Sequence, residues 1–225
     1  MNILFIAALH QVNDPEEDNL QPAEKPMTGA EKRRAARIDQ ILNAAAECFV
    51  EYGFHRAGMA KIADRANMSP GHIYHYFENK EAIIAAIVDR ESALAADRFA
   101  EFDTVDPDDL ADVMAERAAL SIAQKTDILQ SVLNMEMLAE CQRNPAIAEI
   151  IQKHDAYVRA QLTRLLREKL DLPDAEARAD MMMTLFSGIA NRVLRNPELD
   201  RDSMVGLMRE TTHLILTPKK TAGAR

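Results

Sequence analysis

The stretch RANMSPGHIYHYFENKEAI, residues 65–83, has an unusual composition for a helix packed in a core. Two histidines, two tyrosines and a phenylalanine fall within positions 72–77, directly after Ser-Pro and before Asn-Lys-Glu. A core helix has an apolar residue at every third or fourth position, whereas most side chains here are polar or amphipathic. The pattern indicates a surface that contacts something other than the core of the protein.

The flanking residues predict how this segment folds. Ser69 is a good N-cap, Pro70 suits the first helical position, and Asn67 tolerates a left-handed backbone, so a helix over about 70–77 follows a tight turn. A second short helix, over about 59–66, precedes the turn with its apolar residues on one face. Two short helices joined in this way form a helix-turn-helix, whose second helix enters the DNA major groove.

The side chains of the second helix fit this interpretation. Ile73 and Phe77 are four residues apart and would anchor the helix, while the other four side chains meet DNA as hydrogen-bonding groups or as flat apolar surfaces for thymine methyls. These four are His72, Tyr74, His75 and Tyr76. The alternative is ordinary aromatic packing inside a three-helix domain.

The charge distribution also separates this region from the rest. The chain has 225 residues and a formal net charge of -9, but residues 31–80 carry eight Lys and Arg against six Asp and Glu. This asymmetry is typical of a small nucleic-acid-binding module joined to an acidic domain, although solvated faces alone could also produce it. With 48% hydrophobic residues and seven glycines, the composition favours a globular, helix-rich protein.

Hydrophobic periodicity predicts helices along the rest of the chain. With the two short helices, the pattern indicates an all-α fold of about nine helices, with stops at Gly53, RNP, DLPD and RNPELD. The predicted ranges are 31–52, 59–66, 70–77, 80–102, 108–124, 127–142, 145–171, 174–195 and 201–216. We expect a helix-turn-helix DNA-binding domain over 31–79 and a helical domain for ligand binding and dimerisation over 80–217.

The termini are expected to be disordered over residues 1–30 and 218–225. The apolar MNILFIAAL is too short to span a bilayer and lacks a basic flank, so we expect no membrane association, and Met27 is an alternative start. Cys48 and Cys141 have no metal-ligand spacing and are expected to be reduced thiols in a cytoplasm.

Residues 41–89, ILNAAAECFVEYGFHRAGMAKIADRANMSPGHIYHYFENKEAIIAAIVD, resemble the DNA-binding domain of the TetR family of bacterial transcriptional regulators. The residues that match the family pattern are Phe49, Gly53, Phe54, Ile62, Ala63, Ala66, Ser69, Ile73, Tyr74, Tyr76, Phe77, Lys80 and Ile83. Two positions depart from it. Gly58 replaces the usual threonine at the start of the second helix, and Asn67 replaces the glycine of the turn.

The resemblance implies DNA-binding roles for matching positions. Ser69, Pro70, Gly71 and His72 would approach base edges, Tyr74, His75 and Tyr76 would contact phosphates or bases, Lys80 would hold a phosphate, and Gly58 would offer only backbone N–H groups. Basic side chains nearby could reach flanking phosphates or the minor groove, or could simply be solvated. They are Arg33, Arg34 and Arg37. Lys61 and Lys80 could likewise be solvated charges and not phosphate contacts.

The last two helices have broad apolar faces. The residues concerned are Met181, Leu185, Ile189, Met204, Leu207, Met208 and Ile215. The spacing alone supports burial, and the resemblance implies that the two helices pair with a second copy to form a two-fold dimer. A dimer also suits DNA recognition, since one short helix reads only a few base pairs.

Polar residues interrupt otherwise apolar stripes in the C-terminal half. This mixture suits a pocket for a hydrophobic or amphipathic small molecule, although each residue could instead be satisfied internally or lie at a solvent edge. The predicted polar groups are Arg117, Glu136, His154 and Gln161, and the apolar lining is Met114, Leu133, Met137, Tyr157, Val158, Met182 and Phe186.

The sequence contains no glycine-rich phosphate loop, closely spaced metal-ligand set or nucleophile motif, so we expect no cofactor, no metal and no enzyme. The favoured function is a homodimeric, ligand-responsive repressor that binds a palindromic DNA operator. The alternatives are a ligand-independent DNA-binding protein, an activator and, more remotely, a helical-bundle enzyme.

Overall fold

The computed structural model describes residues 28–123, 128–196 and 198–218. In these ranges the backbone forms nine α-helices and no strand, which confirms the all-α prediction. The helices are α1 (Gly29–Arg56), α2 (Met59–Arg65), α3 (Pro70–Tyr76), α4 (Lys80–Thr104), α5 (Pro107–Ala123), α6 (Ile128–Cys141), α7 (Pro145–Glu168), α8 (Ala175–Arg195) and α9 (Arg201–Leu216). The predictions for residues 1–27 and 219–225, including the start at Met27, lie outside the described residues.

Helix α1 begins earlier and ends later than the predicted 31–52. Thr28 forms a capping box in which its hydroxyl accepts from the Glu31 N–H at 3.3 Å, and the Glu31 carboxylate accepts from the Thr28 N–H at 2.7 Å. The predicted stop is present as a kink, since Gly53 has φ 73° and ψ 158°. One further turn then carries the helix to Arg56.

Helix α7 ends at Glu168 and not at the predicted 171. The chain turns at Asp171, which has a positive φ of 50°, and the N–H of Leu172 donates to the carbonyl of Leu166 at 3.0 Å. Apolar residues continue past the helix because Leu172 is buried without being helical. Periodicity alone therefore overestimated the length of this helix.

The described chain divides into two compact units. The first unit comprises residues 28–89 and 132–150, and the second comprises the remaining described residues. In the first unit, α1, α2, α3 and the start of α4 enclose a small core made of Ile41, Leu42, Ala45, Phe49, Ile62, Ala63, Ile73, Ile83 and Ile84. The second unit has a larger core that includes Phe99, Phe102, Leu110, Met114, Val158, Leu162, Met182 and Phe186.

Candidate nucleic-acid interface

The turn between α2 and α3 has the predicted backbone geometry. Asn67 has φ 53°, the Met68 N–H donates to the Ala63 carbonyl at 2.9 Å, and the Asn67 N–H donates to the Asp64 carbonyl at 3.0 Å. This pair of bonds is a Schellman motif with asparagine in the left-handed position. Ser69 then caps α3 by accepting from the N–H of His72 at 3.3 Å. The two short helices and their turn therefore form the predicted helix-turn-helix.

Helix α3 presents its polar and aromatic side chains to solvent. Ile73 is its one fully buried residue, whereas His72 and His75 are exposed and Tyr74 is 54% exposed. Tyr76 is half-buried, with its ring centroid 5.6 Å from that of His72. Ser69, Pro70 and Gly71 at the start of the helix are also exposed.

Basic residues of α1 and α2 lie around these helices. The Arg34 guanidinium lies 5.5 Å from the centroid of the Tyr76 ring, and the Arg37 side chain is exposed. The Lys61 ammonium lies 4.1 Å from the centroid of the Tyr52 ring. Gly58 caps α2 without a side-chain hydrogen bond, as its lack of a side chain requires. The contacts with DNA remain a prediction for all four.

Lys80 already has partners within the protein. Its Nζ donates to the carbonyl of Phe54 at 2.6 Å and lies 4.2 Å from the centroid of the Phe54 ring. Burial lowers the pKa of this lysine. A cation here stabilises the carbonyls that end α1, so Lys80 has a role in joining α4 to α1 that the sequence pattern did not reveal.

Two acidic residues of α6 contact the end of α1 within the first unit. The Glu136 carboxylate lies beside Gly53, where an added Cβ would come within 3.3 Å of Glu136 Oε2. Glu140 is buried, and its Oε2 lies 3.1 Å from His55 Nε2. Glu136 was predicted as a ligand anchor, and Glu140 was not singled out. Leu133 and Met137, also predicted to line the pocket, are buried in the same unit.

The second unit contains the other predicted ligand residues. Met114, Val158, Met182 and Phe186 belong to one buried cluster, and the half-buried Tyr157 packs against it. Gln161 and Arg117 are half-buried, and the Arg117 guanidinium lies 3.9 Å from the Glu101 carboxylate. His154 is buried, with Nδ1 2.7 Å from the Ser92 hydroxyl and no hydrogen-bond partner for Nε2. Burial lowers the pKa of His154.

Several buried polar residues were missed from the sequence. Glu91 and Arg98 lie on the inner stripe of α4, and Ser131 and Thr163 are buried on α6 and α7. The spacing Ile84, Ile87, Glu91, Ala95, Arg98 could have identified the first two, because each step is three or four residues. Burial raises the pKa of Glu91, whose Oε2 has no hydrogen-bond partner.

The predicted dimer residues differ in exposure. Met181 is 57% exposed and Leu207 is 64% exposed, while Met208 is buried in the core of its own chain. Leu185, Ile189, Met204 and Ile215 are partly buried against that core. Leu214, which was not predicted, is 71% exposed. Helices α8 and α9 therefore carry apolar side chains that the single chain leaves in solvent.

An open groove of about 580 Å³ lies between α5 and α9. Its lining residues are Asp112, Val113, Ala115, Glu116, Arg209, Glu210 and His213, and none of them was predicted to bind a ligand. An ion pair of Arg209 with Glu116 at 2.6 Å crosses the groove, and His213 Nδ1 lies 2.9 Å from Asp112 Oδ1. This groove is therefore distinct from the predicted pocket.

No three His, Cys, Asp or Glu side chains in the described ranges are grouped so that they could hold a metal ion. Over the same part of the chain, every helix is too short or too polar to cross a membrane.

Comparison with known proteins identifies both halves of the chain. Residues 41–87 match the profile of bacterial regulatory proteins of the tetR family, and residues 115–217 match the C-terminal profile of BetI-type transcriptional repressors. The HTH-type transcriptional regulator UidR of Escherichia coli (strain K12) is 33% identical over 157 residues, which are 69% of this chain and 74% of UidR.

Solved structures agree in fold. Salmonella enterica GusR superposes with a TM-score of 0.64 at 26% identity, over 80% of this chain and 95% of GusR. The regulator FadR from Bacillus subtilis, solved in complex with stearoyl-CoA, has a TM-score of 0.63 at 20% identity, over 77% of this chain and 96% of FadR. The helix-turn-helix geometry, the two profiles and the similarity to UidR together establish that the chain belongs to the TetR family of transcriptional regulators, which are DNA-binding proteins and not enzymes.

Proposed function

We propose that this regulator is a homodimeric repressor, acting in the cytoplasm, that binds a palindromic operator and is released by a hydrophobic or amphipathic small molecule. The observation that carries the proposal is the exposed face of α3. A helix of seven residues that buries only Ile73 fully contributes little to its own core, while His72, Tyr74 and His75 remain available to a partner. Such side chains in a helix-turn-helix suit base edges and phosphates.

The DNA-binding roles follow from position along this surface. Ser69, Pro70, Gly71 and His72 are at the exposed start of α3, from which this class of motif contacts base edges. Tyr74, His75 and Tyr76 follow and would contact bases or phosphates. Arg34, Arg37 and Lys61 would contact the flanking backbone. The Gly58 N–H already donates to the Arg56 carbonyl at 3.1 Å, so it would have to give up this bond to reach a phosphate. The Lys80 ammonium would bind a phosphate only through an N–H that does not donate to the Phe54 carbonyl.

Dimerisation is supported by the apolar side chains of α8 and α9. Met181, Leu207 and Leu214 are each more than half exposed in the single chain, and exposed apolar residues grouped on two helices are typical of a protein interface. A two-fold dimer would place two copies of α3 about 34 Å apart, on successive major grooves. This arrangement requires a palindromic operator.

The ligand would bind among the helices of the second unit. Met114 and Met182 are flexible and adapt to ligands of different shape, Phe186 and Tyr157 offer flat apolar surface, and His154 supplies a buried nitrogen without a partner. A long amphipathic ligand, stearoyl-CoA, is found in FadR, which shares the fold. Ligand binding would favour a dimer in which the two α3 helices no longer match the groove spacing, so operator affinity would fall.

The proposal is tested by selecting duplexes from a random DNA pool with the wild-type chain and then measuring variants by gel shift. Tyr74→Ala should weaken binding to all duplexes, whereas His72→Ala should change base preference at a cost of about 1–3 kcal/mol. Gln152→Ala, at an exposed position of α7, is the control. Wild-type-like binding by both α3 variants would refute the assignment of the interface.

The selected duplex also tests whether a small molecule releases the regulator from DNA. A compound that frees the DNA should also raise the melting temperature, because a ligand at a hundred times its Kd stabilises the folded state by about 2.7 kcal/mol. A reporter gene behind the selected operator separates repression from activation, since loss of the regulator should raise expression if it represses.

A further inference from the structure

The carbonyl of Ala66 lies where α2 ends and the turn to α3 begins. Ala66 is the C-cap of α2, Asn67 follows it in the turn, and Ser69, three residues after Ala66, caps α3. The Schellman bonds of this turn use the carbonyls of Ala63 and Asp64. The Ala66 residue is 2% exposed, so its carbonyl needs a partner from the protein.

Gln40 of α1 supplies that partner. Its Nε2 donates to the Ala66 carbonyl at 2.7 Å, and its Oε1 accepts from Arg37 Nη1 at 2.8 Å. Because a guanidinium can only donate, Arg37 selects the amide orientation in which the nitrogen faces Ala66. Gln40 is half-buried, so the hydrogen bond is partly protected from water.

We propose that Gln40 is a positioning residue for operator recognition, and that Arg37 orients its amide. The bond fixes the backbone three residues before the Ser69 cap, so it sets the direction in which α3 leaves the turn. A small rotation there would move His72 relative to the bases while leaving the charges that attract phosphates in place. The inference rests on the proposed function, since it concerns how well α3 fits one DNA sequence.

The test is the ratio of affinities for two duplexes, the one that the wild-type chain selects from a random pool and a scrambled duplex of the same length. Gln40→Met keeps the length of the side chain and removes the donor. We expect affinity for the selected duplex to fall about tenfold, because a buried acceptor loses its partner, while affinity for the scrambled duplex changes by less than about twofold.

A matched control separates positioning from general stability. Glu47→Gln weakens another contact between α1 and α2, the ion pair of Glu47 with Arg65 at 3.0 Å, without touching the turn. It should leave the affinity ratio unchanged. If Gln40→Met lowers the melting temperature but keeps the ratio of the wild type, Gln40 is only a structural residue and the inference is wrong.

Two further outcomes are informative. Should Gln40→Met fail to fold, Gln40→Glu carries the test, because it keeps the pairing with Arg37 and still lacks a donor for the Ala66 carbonyl; an unchanged ratio in that variant also overturns the inference. Failure of the wild-type chain to select any duplex would refute the proposed function and this inference with it. A selected duplex for which Gln40→Met keeps the wild-type affinity ratio refutes the inference alone.

Discussion

His154 is a buried titratable residue in the middle of α7. The residue is 3% exposed, one ring nitrogen lies against the Ser92 hydroxyl, and the other has no hydrogen-bond partner. Burial disfavours the charged imidazolium and lowers the pKa of His154 from its ordinary value of 6.5. The folded chain therefore holds this ring neutral at pH 7, and a ligand in contact with it would meet an uncharged group.

This leads to a prediction about pH. Below about pH 6.5 the unfolded chain binds a proton at residue 154 more readily than the folded chain, so the free energy of unfolding should fall, by at most about 1.4 kcal/mol per pH unit. Above that pH both states are neutral at this residue, and its contribution is constant. Urea unfolding at pH 8 and pH 5.5 should thus show a smaller loss of stability for His154→Gln than for the wild type.

Other groups also titrate in this range, so the difference between wild type and variant is the quantity to compare. His72→Gln is the control, because this histidine is on the exposed face of α3. If the wild type and His154→Gln lose equal stability between the two pH values, the ring is not held neutral by burial.

Residue roles could be predicted from the sequence where they depend on local geometry. Asn67 and Ser69 were identified because a left-handed residue and an N-cap are properties of a few neighbouring positions. The contact of Lys80 with the Phe54 carbonyl was not predicted, because it joins residues 26 positions apart. The same applies to Glu136, which lies beside Gly53. Contacts of this kind require the packing of helices, which periodicity does not describe.

At the level of single helices, two glycine positions differ in whether they tolerate a side chain. Gly53 at the kink of α1 has φ 73°, which side chains with a Cβ rarely adopt. Gly58 at the start of α2 has φ -75° and no atom within 4 Å of an added Cβ. Gly53→Ala should therefore lower the free energy of unfolding by about 1–2 kcal/mol, whereas Gly58→Thr should raise it by a few tenths through a side-chain cap.

Thermal or urea unfolding of the two variants beside the wild type measures both effects. The pair is its own control, since both changes add a side chain to a glycine of the same unit. Equal stability of Gly53→Ala and the wild type would mean that α1 can continue through residue 53 without the kink.

Helix positions were predictable from the spacing of apolar residues, and their ends were less so. Predicted α9 has the observed bounds, 201–216, because Asp200 accepts from the Ser203 N–H and so caps the helix locally. The start of α1 at Gly29 depends on the Thr28 capping box, a signal that lies outside the apolar pattern. Helix α7 was predicted too long because apolar residues after it are buried by tertiary packing.

For the whole molecule, the family and fold were predictable because the helix-turn-helix motif is contiguous in sequence. The ligand pocket was harder to predict from the sequence, because its predicted residues come from separate helices. Met114, Val158, Met182 and Phe186 do share one cluster in the second unit, whereas Leu133, Glu136 and Met137 belong to the first. Apolar periodicity indicates which positions of a helix face the interior. It does not indicate which residues of other helices lie beside them.

The dimer proposed from α8 and α9 depends on the exposed apolar face of α9. Leu207 and Leu214 are seven residues apart on one face of α9, and both are mostly exposed in the single chain. Replacing them with glutamate should change the stability of the isolated chain by less than about 0.5 kcal/mol, because little contact within the chain is lost. In a two-fold interface each new carboxylate would be buried near its own copy, which is strongly unfavourable.

Sedimentation velocity should therefore find Leu207→Glu/Leu214→Glu monomeric at concentrations where the wild type is dimeric. Gln152→Glu adds one carboxylate on α7, at an exposed position away from α9, and should remain dimeric. The monomeric variant should also lose affinity for the selected palindrome while keeping its helical circular dichroism, since each half-site alone offers too few contacts for tight binding. A double variant that still sediments as a dimer would place the interface away from this face of α9.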